Sequence, residues 1–337
     1  MASVETVRGP VDLGSLGQTL MHEHVFVLST EHVQNYGSTW WDEEARVADA
    51  IAKLTALHAK GIGTIVDPTV WGLGRYIPRI QRIAAEVPIN IIVATGLYVY
   101  EELPRQYAYR GPGLLLDIPE PMADDFVRDI TEGIAGTGVR AAFLKCCLET
   151  ARPSPGVERI VRAVARAHAR TGAPITVHTS GARQSGRTAA AIFAEEGADL
   201  SKVMIAHAGD SNDLGYLADL ADRGMLLGMD RFGLDIYNPG AERVKTIAAL
   251  AARGYAPSMV LAHDANCFID YFGAAHDEVR AVLPDWQYEH ISDAVLPALR
   301  EAGVTQAQLD TMLIENPVRY FTPAASGGTA LARITSA

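Results

Sequence analysis

The sequence predicts an α/β protein of the closed parallel type, a (β/α)8 or TIM barrel, and three observations carry that prediction. Eight short, β-rich apolar runs recur along the chain. Longer amphipathic segments rich in Ala, Glu and Arg lie between them, the alternation expected of a parallel sheet covered by helices. No G-x-G-x-x-G follows the first run, so the open, doubly wound sheet lacks its usual mark. At 337 residues the chain is of ordinary size for one such barrel, and a single domain over 1–337 is expected.

The runs, in order, are "TLMHEHVFV" (19–27), "GTIVDPT" (63–69), "INIIVATG" (89–96), "RAAFLKCC" (140–147), "APITVHTS" (173–180), "KVMIAHAG" (202–209), "MLLGMDRF" (225–232) and "SMVLAHDA" (258–265). They are close to continuously apolar, as strands buried on both faces must be. Helices are expected over 42–60, 157–172 and 242–254, the last two ending in Gly where a helix C-cap belongs. The small and polar tail 322–337 reads as a loosely packed terminus.

Composition limits the function. With 48% hydrophobic and 20% charged residues the chain is an ordinary globular protein. A net charge of −11 without clustered Lys and Arg argues against a nucleic-acid partner. No stretch is long and apolar enough to span a membrane, and "MASVETVRGP" is not a secretion signal. Cys146, Cys147 and Cys267 make no disulfide framework. A cytoplasmic location is therefore expected.

In a β/α barrel chemistry sits at the C-terminal ends of the strands. Those ends carry His22 and His24 on the first run, Lys145 on the fourth, His178 on the fifth, His207 on the sixth and Asp264 on the eighth. In a strand, alternation points His22 and His24 the same way. Each of these groups would be costly in an apolar run without a partner, and a shared metal would supply one. His58, His168, His276 and His290 fall outside the ends and read as ordinary helix or loop histidines.

Along nearly its whole length the chain resembles the phosphotriesterase-like lactonases of the amidohydrolase superfamily. The motifs are "MHEHVF", "VDPTVWGLGR" (66–75), "ATGLYVY" (94–100), "FLKCC" (143–147), "TVHTSGARQSGR" (176–187), "IAHAGDSNDLGYL" (205–217), "LGMDRFG" (227–233), "LAHDANC" (261–267) and "ENPVRYF" (315–321). The resemblance implies a barrel holding two divalent metal ions (Zn, or Co, Fe or Mn) bridged by a hydroxide and by a CO2-derived carbamate on Lys145. By motif match His22, His24 and Asp264 would hold one ion, and His178 and His207 the other. The chemistry agrees: an unmodified lysine cation would be repelled by two metals, whereas its carbamate offers two anionic oxygens. Metals lower the pKa of bound water toward about 7, and Asp264 is placed to accept the proton.

For the substrate, the resemblance matches Tyr98 and Arg231 to pocket-lining positions of the lactonases. The segment 266–286 carries Phe268, Tyr271 and Phe272, apolar enough to house an acyl chain. Only 33 residues separate Asp230 from Asp264, too few for the longer seventh loop of dedicated phosphotriesterases. Asn266 departs from the cysteine often found at its position. The expected enzyme opens small-molecule lactones, N-acyl-homoserine lactones first (quorum quenching), hydrolyses organophosphate triesters weakly, and works as a homodimer. A dedicated aryldialkylphosphatase and a non-catalytic metal-binding barrel are the alternatives; the latter predicts intact ligands beside a blocked pocket.

Overall fold

The computed structural model describes residues 2–323, so the tail reading over 324–337 lies outside the described residues. The chain opens with an antiparallel hairpin of β1 (Ser3–Thr6) and β2 (Gly9–Asp12). The barrel strands follow: β3 (Gln18–Leu20), continued after a break by β4 (His24–Val27), then β5 (Ile62–Asp67), β6 (Asn90–Gly96), β7 (Phe143–Leu148), β8 (Ile175–Thr179), β9 (Val203–Ala206), β10 (Leu226–Met229) and β11 (Met259–Leu261). Eight of them form one parallel sheet in the order β11-β10-β9-β8-β7-β6-β5-β3. A short β12 (Asn266–Ile269) lies parallel to β4. This is the expected (β/α)8 barrel.

The helices predicted over 42–60, 157–172 and 242–254 are found at Glu43–Ala59, Pro155–Thr171 and Gly240–Ala252. Local chemistry sets their ends. Asp42 accepts from the Ala45 N–H at 3.1 Å, Ser154 accepts from the Val157 N–H at 3.2 Å with Pro155 behind it, and Gly172 takes the left-handed conformation at the second helix's C-cap.

Two cores flank the sheet. Inside the barrel lie Met21, Val66, Ile92, Phe143, Met204, Leu226 and Val260, closed from below by Tyr320 and Phe321 of the helix Asn316–Phe321. The Tyr320 hydroxyl reaches Thr176 Oγ1 at 2.9 Å. The alternate residues, among them Ile65, Ile91, Leu144, Cys146, Val177, Ile205 and Leu261, pack outward against the helices. The N-terminal end of the barrel is plugged and the C-terminal end is left for the site. Among the described residues no helix is long and apolar enough to cross a membrane.

The expected unbroken strand 19–27 is corrected by the structure, for residues 21–23 bend between β3 and β4. The cause is the seam that closes the barrel. Glu23 is fully buried and turns its carboxylate toward the last strand, accepting from His263 N and Nδ1 at 2.7 Å each and from Ala265 N at 3.0 Å. Met21 N donates to Leu261 O at 3.3 Å and Asp264 N to His22 O at 3.0 Å. Side-chain and bend hydrogen bonds thus replace a regular ladder. Strands six to eight also stop earlier than predicted, because His207, Arg231 and Asp264 turn the backbone left-handed, with φ of 63°, 64° and 52°.

Candidate metal centre

The barrel's alternation decides which side chains meet. On β7, Phe143 faces inward and Leu144 and Cys146 outward, which directs Lys145 into the barrel above Phe143. On β8, Thr176 and His178 share the inward face by the same rule. His207, Arg231 and Asp264 reach the centre by another device. A left-handed backbone is uncommon for residues with side chains and costs about 1–3 kcal/mol, and it is retained here at three positions around one cavity.

His22 Nδ1 donates to Asp230 Oδ2 at 2.8 Å, and His24 Nδ1 donates to Thr69 Oγ1 at 2.7 Å, whose hydroxyl passes its own hydrogen to Asp67 Oδ1 at 2.5 Å. With those protons committed, the Nε2 atom of each ring carries a lone pair when that ring is neutral. Both face Asp264 Oδ1, at 3.4 Å from His22 and 3.3 Å from His24. Three acceptors therefore converge with no hydrogen between them. A tetrahedral ion with ligand bonds of about 2.0–2.1 Å separates its ligands by about 3.3–3.4 Å, and these three residues offer one ligand atom each within 4.8 Å of one another.

The other pair repeats the logic. His207 Nδ1 donates to Asp230 Oδ1 at 2.9 Å, and His178 Nε2 donates to Glu149 Oε2 at 2.8 Å. The remaining nitrogens, His207 Nε2 and His178 Nδ1, then meet at 2.8 Å as two lone pairs when both rings are neutral. Burial, joined by the positive charge of Arg231, lowers the pKa of His207 well below its usual value and pushes His178 down to about 4. Neutral imidazole is the form that binds metals, and a cation between the two nitrogens relieves the contact. The donor set fits two divalent ions.

Asp230 joins the halves: fully buried, it takes a ring N–H from His22, one from His207, and the His207 backbone N–H at 3.1 Å. Burial pulls its pKa up, but His207 and His22 outweigh burial and hold it far below the usual carboxylate range. Burial likewise acts to raise Asp264, and His22, His207 and Arg231 together hold it down as an anion. Lys145 is 1% exposed, and its amine has no hydrogen-bond or ion-pair partner among the described residues. Burial lowers its pKa. An uncompensated amine at this point is what a bridging modification would resolve.

Every candidate except one gathers at the same cavity. It measures about 190 Å3 and is lined by His22, His24, Tyr98, Lys145, His178, His207, Arg231, Asp264 and Tyr271. Tyr98 places its hydroxyl 3.2 Å from His178 Nδ1 and 2.8 Å from the Tyr100 hydroxyl. Arg231 lines the cavity and is also an ion-pair bridge, giving Nε to Asp264 Oδ2 at 3.1 Å and NH1 to Asp210 Oδ2 at 2.8 Å, with Arg243 on the far side of Asp210 at 2.7 Å. The exception is Phe268. Expected in the acyl wall, it is buried away from the cavity, 5.5 Å from Trp41 between ring centroids and capped by the Arg46 guanidinium at 4.1 Å, because β12 pairs it with Phe26 of β4. His58 and His168, read as ordinary, are tied to the Ile62 and Ala173 carbonyls at 3.1 and 2.8 Å.

The sequence reading missed Asp230, Glu149, Thr69 and Glu23. Asp230 sits in "GMDRF" on the same kind of apolar run end that marked Asp264, so its signal was present. Glu149 in "CCLETARP" looks like any loop acid.

The family model described as the phosphotriesterase family matches residues 2–321. A phosphotriesterase homology protein of Mycobacterium tuberculosis is 54% identical over 322 residues, covering 95% of this chain and 98% of that protein. An aryldialkylphosphatase of Saccharolobus solfataricus is 34% identical over 312 residues, covering 92% of this chain and 96% of that one. The solved structure of the phosphotriesterase from Mycobacterium tuberculosis superposes with a TM-score of 0.93 at 53% identity, covering 96% of this chain and 99% of that chain. A barrel with converging histidine lone pairs at its open end and a family match running through all of its strands lead to one conclusion: the chain belongs to the phosphotriesterase family of hydrolases.

Proposed function

We propose that this chain is a binuclear metal-dependent lactonase, with N-acyl-homoserine lactones as its preferred substrates and hydrolysis of organophosphate triesters as a weak side activity. One observation carries the choice of lactone. The loop after β10 is only residues 230–239 before the next helix begins at Gly240, and it lays Leu234, Ile236 and Tyr237 on the cavity rim instead of covering it. At about 190 Å3 the cavity is small beside the roughly 300–1,000 Å3 of drug-sized sites. It suits a five-membered ring, and an acyl tail would leave across Ile236, Tyr237, Tyr271 and Phe272, which are exposed apolar groups at its mouth.

His22, His24 and Asp264 would hold one ion, and His178, His207 and a carbamate on Lys145 the other, with the carbamate bridging. Zn, Co, Fe or Mn all suit nitrogen and oxygen donors. Two such ions supply a water-derived nucleophile at neutral pH and polarise a carbonyl. Around them the protein's own groups act. Tyr98 orients the ring or carbonyl oxygen through its hydroxyl. Asp264, kept anionic by its neighbours, accepts a proton as the nucleophile attacks, and Arg231 steadies that carboxylate from behind. The chain acts in this reading as one domain over 1–337, a cytoplasmic homodimer with no nucleic-acid or membrane partner.

The likeness to a protein named aryldialkylphosphatase favours a second reading, a dedicated phosphotriesterase. The non-catalytic barrel needs a blocked pocket, and the cavity is open. Metal analysis joined to a pH-based assay over lactones, esters and triesters tests these readings. Two ions per chain with highest kcat/KM on an acyl-homoserine lactone is the expected result. A triester turned over a hundredfold more efficiently than every acyl-homoserine lactone from six to twelve carbons would end the lactonase reading.

A further inference from the structure

Arg243 lies in the first turn of the helix Gly240–Ala252 and is 0% exposed. The place is unfavourable for it twice over: a guanidinium stays charged when buried, and the N-terminal end of a helix is itself positive. Among the described residues its only ion-pair partner is Asp210, whose other oxygen already serves Arg231. What offsets the cost is the use made of every nitrogen. Nε donates to the Asn238 carbonyl at 3.0 Å, NH1 to the Asp230 carbonyl at 2.8 Å and NH2 to Asp210 Oδ1 at 2.7 Å. Asp230 opens the loop after β10 and Asn238 stands next to its end, so one side chain ties both ends of that loop. Gly209 leaves the room for it, since a Cβ there would meet Arg243 NH1 at 3.0 Å and the Asp230 carbonyl at 3.2 Å.

We infer that Arg243 is a positioning residue that acts on the cavity through Arg231. A carboxylate with both oxygens available takes an arginine side-on, by two parallel hydrogen bonds. Arg243 withdraws that option from Asp210 by occupying Oδ1, so Arg231 makes its bond to Oδ2 through NH1 at 2.8 Å and keeps Nε for Asp264 Oδ2 at 3.1 Å. The loop that Arg243 ties also lays Tyr237 against the Arg231 guanidinium, whose carbon is 4.4 Å from the ring centroid. Without Arg243 a buried oxygen of Asp210 is left unpaired, and the nearest remedy is for Arg231 to turn toward it and away from Asp264. Arg231 is therefore held over Asp264 by a residue that does not itself line the cavity.

The test uses Arg243→Lys and Arg243→Met in the metal-loaded protein. Lys keeps the charge but gathers its donors on one nitrogen, which cannot span Asn238, Asp230 and Asp210, and it carries the test if the Met variant fails to fold. The assay substrate is whichever of a lactone and a triester the wild type turns over faster, so failure of the lactonase reading leaves the outcome readable. In Arg243→Lys, amide hydrogen exchange over residues 230–239 should rise about tenfold with strands β5 to β8 unchanged. The value of kcat/KM should fall about tenfold, mostly in kcat, with metal content unchanged. Placed in an Arg231→Met background, the same substitution should cost less than about twofold, because the group it acts through is gone. Equal losses in the two backgrounds overturn the inference, as does exchange over 230–239 that matches the wild type. Loss of metal in step with activity overturns it too, for the effect would then run through Asp230.

Discussion

The two halves of the proposed metal centre are each built on a pair of histidines and anchored very differently. In the half formed by His22, His24 and Asp264, the outer ring nitrogens are held by Asp230 and by Thr69 backed by Asp67, all of them buried. In the half formed by His178 and His207, His207 shares Asp230, but His178 is held through Nε2 by Glu149, whose side chain is 31% exposed. Glu149 is steadied from outside by Arg183 at 3.6 Å, itself 58% exposed. Supports of this kind fix the tautomer and orientation of a ligand, so the anchoring teaches that the two sites need not bind equally: one is locked into the barrel seam, the other is tied to solvent-facing charges.

The largest effect is expected where the locked half is broken. His24→Ala removes one of the nitrogens proposed to hold an ion in this half, and should cost a metal and more than a hundredfold in kcat/KM, beyond what loss of a supporting group costs. Two retained ions with near-normal turnover would refute the ligand assignment, and His58→Ala, whose ring is tied to the Ile62 carbonyl, is the control. Lys145→Ala comes next, since it takes away the residue proposed to carry the bridging carbamate. Both ions should be lost, with partial return of activity in excess metal and a short carboxylic acid. Intact-mass spectra showing a free amine in the fully active enzyme would contradict the carbamate.

What the sequence disclosed of this centre follows from what alternation and burial cost can report. His178 and Lys145 lie on regular strands, where an ionisable group on the inward face of an apolar run is a direct signal. His22 and His24 were rightly brought together, though by a reason that the bend at 21–23 replaces: Glu23 must reach across to His263 and Ala265, and no local pattern records a partner 240 residues away. Asp264 and His207 were placed at strand ends, but not their left-handed backbones, which are set by contacts across the barrel mouth. Phe268 failed because apolar composition does not say which side a residue faces, and residues 266–269 are a strand paired with β4 rather than loop. Glu149 was out of reach, since its role exists only through His178.

The supports themselves sharpen the comparison. Asp230→Asn replaces a carboxylate that serves both halves, so both ions should bind about 10–100-fold more weakly. Glu149→Gln should weaken one ion alone: partial chelation followed by metal analysis should leave close to one ion per chain in the variant under conditions that leave two in the wild type. Glu149→Asp, which keeps the charge on a shorter arm, should recover part of the second ion. Equal loss of both ions from Glu149→Gln would erase the distinction between the halves.

The smallest effect is expected at Tyr98, which touches the open half without holding it. Its hydroxyl stands 3.2 Å from His178 Nδ1 and 2.8 Å from the Tyr100 hydroxyl, and burial raises its pKa well above that of a free tyrosine. It therefore remains a neutral hydrogen-bond donor across the working pH range and does not serve as a base. A neutral hydrogen bond contributes about 0.5–1.5 kcal/mol, and about 1.4 kcal/mol is a factor of ten. Tyr98→Phe keeps the ring and removes the donor, so kcat/KM on lactones should fall roughly three- to tenfold with both ions retained. Triesters, which do not present a planar ring carbonyl to that hydroxyl, should be affected less. Loss of an ion in Tyr98→Phe would instead make Tyr98 a support of His178, and that ring would then owe its hold to two groups rather than to Glu149 alone.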